Sequence, residues 1–141
     1  MPLLELKLRE GRLDDAAIEE LTTELTRAAS EAEGTDLDRA KSLTWTLVDS
    51  FEDREWRVGG APAEGPTYLL RAHLAEGLVD DAGKQRFVEL ADEAIQAVDP
   101  DYNPFAAWVI VNEVDDGNWA AGGSVLPSSQ IADLTGAELV D

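Results

Sequence analysis

The sequence predicts an α/β fold in which two tandem βαβ units form one four-stranded sheet with two helices on one face. Two observations predict it. The chain repeats itself: Trp45 to Gly60 returns as Trp108 to Gly123 at a displacement of 63, with six of sixteen positions identical. Leu8 to Ala16 returns as Leu74 to Ala82 at a displacement of 66, with six of nine identical. The hydrophobic period also changes from two to about 3.6 and back to two inside each copy, the order strand, helix, strand. An internal repeat constrains architecture before any motif is read. The change from 66 to 63 means that the second copy lacks three residues between the two blocks.

In the first copy Leu4, Leu6 and Leu8 alternate with Glu5, Lys7 and Arg9, which predicts a strand. A turn at Gly11 follows, and Asp14 or Asp15 caps a helix whose stripe is Ile18, Leu21, Leu25, Ala28 and Ala32, closed by Gly34. Thr44 to Phe51, rich in β-branched and aromatic residues, is the second strand. The second copy repeats this plan with Tyr68 to Leu74, a cap at Asp80 or Asp81, the stripe Phe87, Leu90, Ala91, Ala94, Ile95 and Val98, and a strand from Ala107 to Val114. Strands joined by such a crossover helix lie parallel, with a right-handed connection. The helix-free face of the sheet needs cover, and another copy of the chain supplies it most simply, so a closed homo-oligomer is expected.

Residues 1–141 are expected to form a single domain of two pseudo-repeats, 1–65 and 66–127, followed by a tail, 128–141, that extends the second hairpin or drapes over a neighbouring subunit. Units of this size are small for independent stability, so one shared core is expected. The apolar runs are too short to cross a bilayer, and the start of the chain lacks the pattern of a signal peptide, which points to the cytoplasm. The absence of cysteine excludes disulfides and thiolate metal sites, and a single histidine, His73, argues against an imidazole metal cluster or a serine triad. No metal or other cofactor is expected. Thirty acidic against eleven basic residues give a net charge of −19, which repels phosphate backbones and anionic lipid, so neither nucleic acid nor membrane is an expected partner. This composition suits a protein adapted to high salt and an ordinary acidic protein about equally.

These features together resemble the tautomerase superfamily, in which a βαβ unit begins with a catalytic proline directly after the initiator methionine. The chain starts Met1-Pro2, its turn Leu8-Arg9-Glu10-Gly11-Arg12 is similar to the Glu-Gly-Arg turn of 4-oxalocrotonate tautomerase, and Gly59-Gly60 and Gly122-Gly123 resemble that family's Gly-rich hairpin. Two units fused in one chain resemble cis-3-chloroacrylic acid dehalogenase and macrophage migration inhibitory factor. The resemblance spans residues 2 to about 127. It implies a homotrimer, and an enzyme that uses the amine of Pro2 on a small keto/enol compound or unsaturated carboxylic acid, by tautomerisation or by dehalogenase-like hydration or decarboxylation.

Removal of Met1 would leave Pro2 with a secondary amine, and α-amino groups titrate at about 8, close enough to neutrality to be tuned to base or acid. By resemblance, Glu113 falls where the dehalogenases carry a water-activating carboxylate, and Tyr102 where they carry a tyrosine that bonds the water. The repeat partner of Glu113 is Ser50, an asymmetry that favours function. The arginines that grip a substrate carboxylate are replaced by Ala75 and Leu78, and the histidine of the dehalogenase helix by Ala29, so efficient dehalogenation is not expected. In the first copy Arg9 and Arg12 are present, but the position matching Pro2 is Tyr68, which has no free amine. Arg71 and Arg12 are the candidate cations for substrate, and Trp108 the candidate apolar wall. A catalytically decayed trimeric binding or scaffold protein is the alternative reading.

Overall fold

The computed structural model describes residues 1–140. Alternation in Leu3–Arg9 becomes strand β1, with Leu4, Leu6 and Leu8 turned to one face and buried. Gly11 turns the chain at a φ of 73°, a left-handed conformation that favours glycine. Asp14, rather than Asp15, then caps helix α1 (Asp15–Glu33), accepting from the Ala17 backbone N–H at 2.8 Å. Helix α2 (Leu37–Leu43) and strand β2 (Trp45–Phe51) follow, then a hairpin of β3 (Arg57–Val58) and β4 (Ala61–Pro62). The second copy supplies β5 (Tyr68–Ala75), α3 (Asp81–Val98) capped by Asp80, β6 (Ala107–Val114) and a hairpin of β7 (Ala120–Ala121) and β8 (Ser124–Val125). Helix α4 (Ser128–Thr135) closes the chain's regular structure.

The four long strands run in the order β2-β1-β5-β6. Each βαβ unit is parallel within itself, and the units join antiparallel through β1 and β5. Leu4 faces Ala72 and Leu6 faces Leu70 across that joint. Those positions exchange under the displacement of 66, so the two copies are related by a local two-fold.

Both long helices cover one sheet face, and their stripes interleave with Leu4, Leu6, Leu8, Tyr68, Leu70, Ala72 and Leu74 in one core drawn from both copies. Helices α1 and α3 approach closely at Gly83, where a Cβ would lie 2.8 Å from the Ala32 carbonyl oxygen. On the opposite face, polar Glu5, Lys7, Arg71 and His73 occupy the central strands. Trp45, Leu47, Trp108 and Ile110 on the edge strands are 69%, 50%, 69% and 39% exposed. Among the described residues, no helix is long and apolar enough to cross a membrane.

Two helices lie outside the repeat-based expectation. Helices α2 and α4 span only seven and eight residues, about two turns, too short to show a hydrophobic period. Residues 128–135, part of the C-terminal tail, form α4 and pack on their own chain. There Ile131 and Ala132 pack with Ala75, Leu78 and Leu126 in a second small core that Met1 and Trp119 adjoin. The Asp36 N–H donates to the Thr135 carbonyl at 2.8 Å and ties α4 to the start of α2.

Candidate active site

A cleft of about 600 Å3 opens where β1 begins, with Pro2, Trp45, His73, Asn118 and Trp119 among its lining residues. Pro2 is held at its floor by the sheet, because its carbonyl accepts from the Trp45 N–H at 3.1 Å just before the β1–β2 ladder starts. Helix α2 supplies one wall through Ser42 and Leu43, and the β7–β8 hairpin supplies another through Ala120 and Ala121. Both copies build the cleft: the start of β1, the end of α2 and Trp45 come from the first, and His73, Val114 and the β7–β8 hairpin from the second. No arginine or lysine lines the cleft among the described residues. Its imidazole, His73, donates from Nε2 to Glu5 at 2.7 Å, and that bond holds the Glu5 carboxyl below the usual carboxylate range.

Beside the Met1 amine lies Glu33, the last residue of α1 and only 2% exposed. Its Oε2 stands 3.6 Å from the Met1 amine, an ion-pair distance that is longer than a hydrogen bond, and neither carboxyl oxygen has a hydrogen-bond partner. Burial raises the Glu33 carboxyl above the usual range, opposed by the amine's charge. Burial likewise lowers the amine, opposed by Glu33.

No protein-family model matches the sequence, and no curated protein matches it. Solved structures do resemble it. A wild-type fused 4-OT that forms an asymmetric trimer superimposes with a TM-score of 0.74 at 24% identity, over 87% of this chain and 94% of that one. Pt0534, in a form inactivated by 2-oxo-3-pentynoate, gives 0.76 at 11% identity over 92% and 98%. A member of the cis-3-chloroacrylic acid dehalogenase family gives 0.74 at 17% identity over 89% and 83%. The chain shares the fold of these fused 4-OT, Pt0534 and dehalogenase-family structures.

Within this fold, the residues singled out in the sequence fall in different places. Pro2 is in the cleft. Glu113 sits at the far side of Leu74 on β6, ion-paired with Lys84 of α3, and opens onto a separate cleft of about 510 Å3 with Glu76, Asp80 and Asp81. The bond to Glu113 raises the Lys84 ammonium above its usual range. Tyr102 is buried in the main core, its ring edge-on to Tyr68 at 6.0 Å, and its hydroxyl has no partner. Arg12 is committed to Asp99 through two bonds of 2.7 and 2.5 Å. Arg9 is likewise taken by Asp53 at 2.8 Å and the Gly65 carbonyl. Arg71 is exposed on the helix-free face, beside Glu5 and Ile110 in the strand register. Trp108 pairs with Leu69, at the opposite end of the sheet from Pro2. Within one chain, therefore, none of Glu113, Tyr102, Arg12, Arg71 and Trp108 lines the Pro2 cleft. The local two-fold explains the tryptophan: its copy-one counterpart, Trp45, is the one beside Pro2.

The sequence reading passed over Glu33, yet a signal was there. Leu21, Leu25, Ala29 and Glu33 are spaced by four, which places a carboxylate on the buried stripe of α1.

Proposed function

We propose that this protein is an enzyme of the tautomerase superfamily in which the amine of Pro2, exposed by loss of Met1, moves a proton on a small keto/enol compound. The observation that carries this reading is that Pro2 lines a cleft of about 600 Å3, beside tryptophan and aliphatic walls that would keep an enol dry. Tautomerisation requires a proton to leave one carbon or oxygen and return at another, and a single amine alternating between base and acid can do both. A substrate carboxylate is served less well, because Ala75 and Leu78 are apolar and both first-copy arginines are already paired. Hydration or decarboxylation of an unsaturated acid would draw its cation from a neighbouring copy. We also infer a homotrimer, as in the fused 4-OT structure, with the exposed face of the sheet as its seam.

The test is covalent labelling by 2-oxo-3-pentynoate, with the adduct located by mass spectrometry, together with turnover of phenylenolpyruvate. Expected are an adduct on Pro2, and a fall in kcat/KM of about 100-fold or more in Pro2→Ala, the range typical of losing a general acid–base. A second reading, a binding or scaffold protein with a decayed site, is favoured by the internal pairing of Arg9 and Arg12. Equal turnover by wild type and Pro2→Ala, with no adduct on Pro2, would establish it over the first.

A further inference from the structure

The repeat displaces Glu33, the last residue of α1, onto Asp99, the C-cap of α3. Both are buried acids, 2% and 3% exposed, and each faces the start of the first strand of its own copy. In the second copy Asp99 is fully partnered. Tyr68, which matches Pro2, donates to it at 2.5 Å, and Arg12, from the turn of the other copy, grips it with two bonds. Applying the same displacement to Glu33 replaces Tyr68 by Pro2 and Arg12 by Leu78. The guanidinium is thus absent from the first copy, and among the described residues the cation paired with Glu33 is the chain's terminal amine at 3.6 Å.

We propose that Glu33 is the counter-ion of the terminal amine in the Pro2 cleft, a positioning residue that matches Asp99 of the equivalent site, with the amine in place of Arg12 and Tyr68. This rests on the proline-dependent reading of the cleft and names the group that sets the charge of its amine.

The surroundings leave Glu33 no competing partner. On α1 itself Glu31 is held by Arg86 of α3 at 2.9 Å, and Arg27 by Glu24 at 2.7 Å. On α2, Asp36 caps its own helix through the Arg39 N–H, and Lys41 lies by Asp38 at 3.7 Å. On the sheet, His73 is bonded to Glu5. Among the described residues, the terminal amine is the sole ionisable group whose charge shifts Glu33, and Glu33 the sole one that shifts the amine. Loss of Met1 would move that amine one residue along the chain, to the Pro2 nitrogen, whose proposed counter-ion is the same carboxylate, its oxygens without a hydrogen-bond partner.

The sign of the effect follows from the opposing causes. Burial favours the neutral amine and a nearby carboxylate favours the ammonium. Removing the carboxylate leaves burial alone, so the amine must lose proton affinity. The experiment is an NMR titration of the 15N-labelled terminal amine in wild type, Glu33→Gln and Glu33→Asp. Expected is a drop of about one pH unit in the Gln variant, a tenfold loss of proton affinity, and a titration near wild type in the Asp variant, which keeps the charge. Should the Gln variant not fold, Glu33→Leu, which fills the site with apolar surface, serves the same purpose. An amine that titrates within 0.3 unit of wild type after the charge is removed would overturn the proposal. The titration reads the amine whether or not the protein turns over a substrate, so its failure is distinct from a failure of alkynone labelling at Pro2.

Discussion

Asp99 shows how much one buried side chain can carry in this protein. Its carboxylate collects the Arg12 guanidinium and the Tyr68 hydroxyl beneath the surface, joining the turn after β1, the start of β5 and the end of α3. The Arg12 bonds, above all, hold its carboxyl below the usual range, and burial followed by the bond to Asp99 raises the Tyr68 phenol. Breaking a buried pair by removing one member costs about 3–5 kcal/mol, and the 35% exposure of the Arg12 side chain places this case at about the lower end. We expect Asp99→Asn to lose about 3 kcal/mol in urea unfolding at pH 7. Because the folded pKa is depressed, the stabilisation is present above the unfolded value of about 3.9 and fades as pH falls through the lower folded value. The variant's stability should therefore change less than the wild type's over that acid window, and parallel pH profiles would refute the assignment. Chain position marks Arg12 and Tyr68 as notable residues but not the partner they share, since Asp99 lies 87 residues from Arg12.

At the scale of elements, the contact between α1 and α3 depends on the missing side chain at Gly83. A methyl group there would sit 2.8 Å from the Ala32 backbone oxygen, which cannot rotate aside as a side chain can. Alanine gains about 1 kcal/mol of helix propensity over glycine, against roughly 1–3 kcal/mol for forcing an overpacked contact apart. Gly83→Ala should thus be destabilising by about 1 kcal/mol in chemical denaturation. A stabilised variant would mean that the helices part without cost. The long elements were legible because their periods extend over several turns and their capping aspartates recur in both copies. Helices α2 and α4 were not, since each owes its place to tertiary contacts, the Asp36–Thr135 bond and the small core around Leu78.

At the scale of the molecule, the sheet is covered on one face and open on the other. Trp108 and Leu47 stand exposed at its edges, contributing nothing to the core of their own chain. If that face is the trimer seam, Leu47→Lys combined with Trp108→Lys should convert trimer to monomer in light scattering while leaving the far-ultraviolet dichroism unchanged. A wild-type monomer at micromolar concentration would remove the trimer from the proposal. Because each chain carries −19, added salt should favour assembly by screening like charge between copies.

The sequence by itself determined the duplicated βαβ architecture, its sheet face and its long helices, because those follow from local period, capping and repetition. It also placed Pro2 at the head of the first strand and exposed the mismatches between copies, Pro2 against Tyr68 and Arg12 against Leu78. Only the tertiary structure decided which residues share a cleft. The antiparallel joint of β1 and β5 sends the two strand starts to opposite ends of the sheet, so Trp45 accompanies Pro2 whereas Trp108 and Tyr102 lie elsewhere. Glu33 acquired its meaning in the same way. A carboxylate on an apolar stripe is a sequence fact, but its burial beside a terminal amine, without the guanidinium its counterpart enjoys, depends on how two helices and two turns pack about the local two-fold.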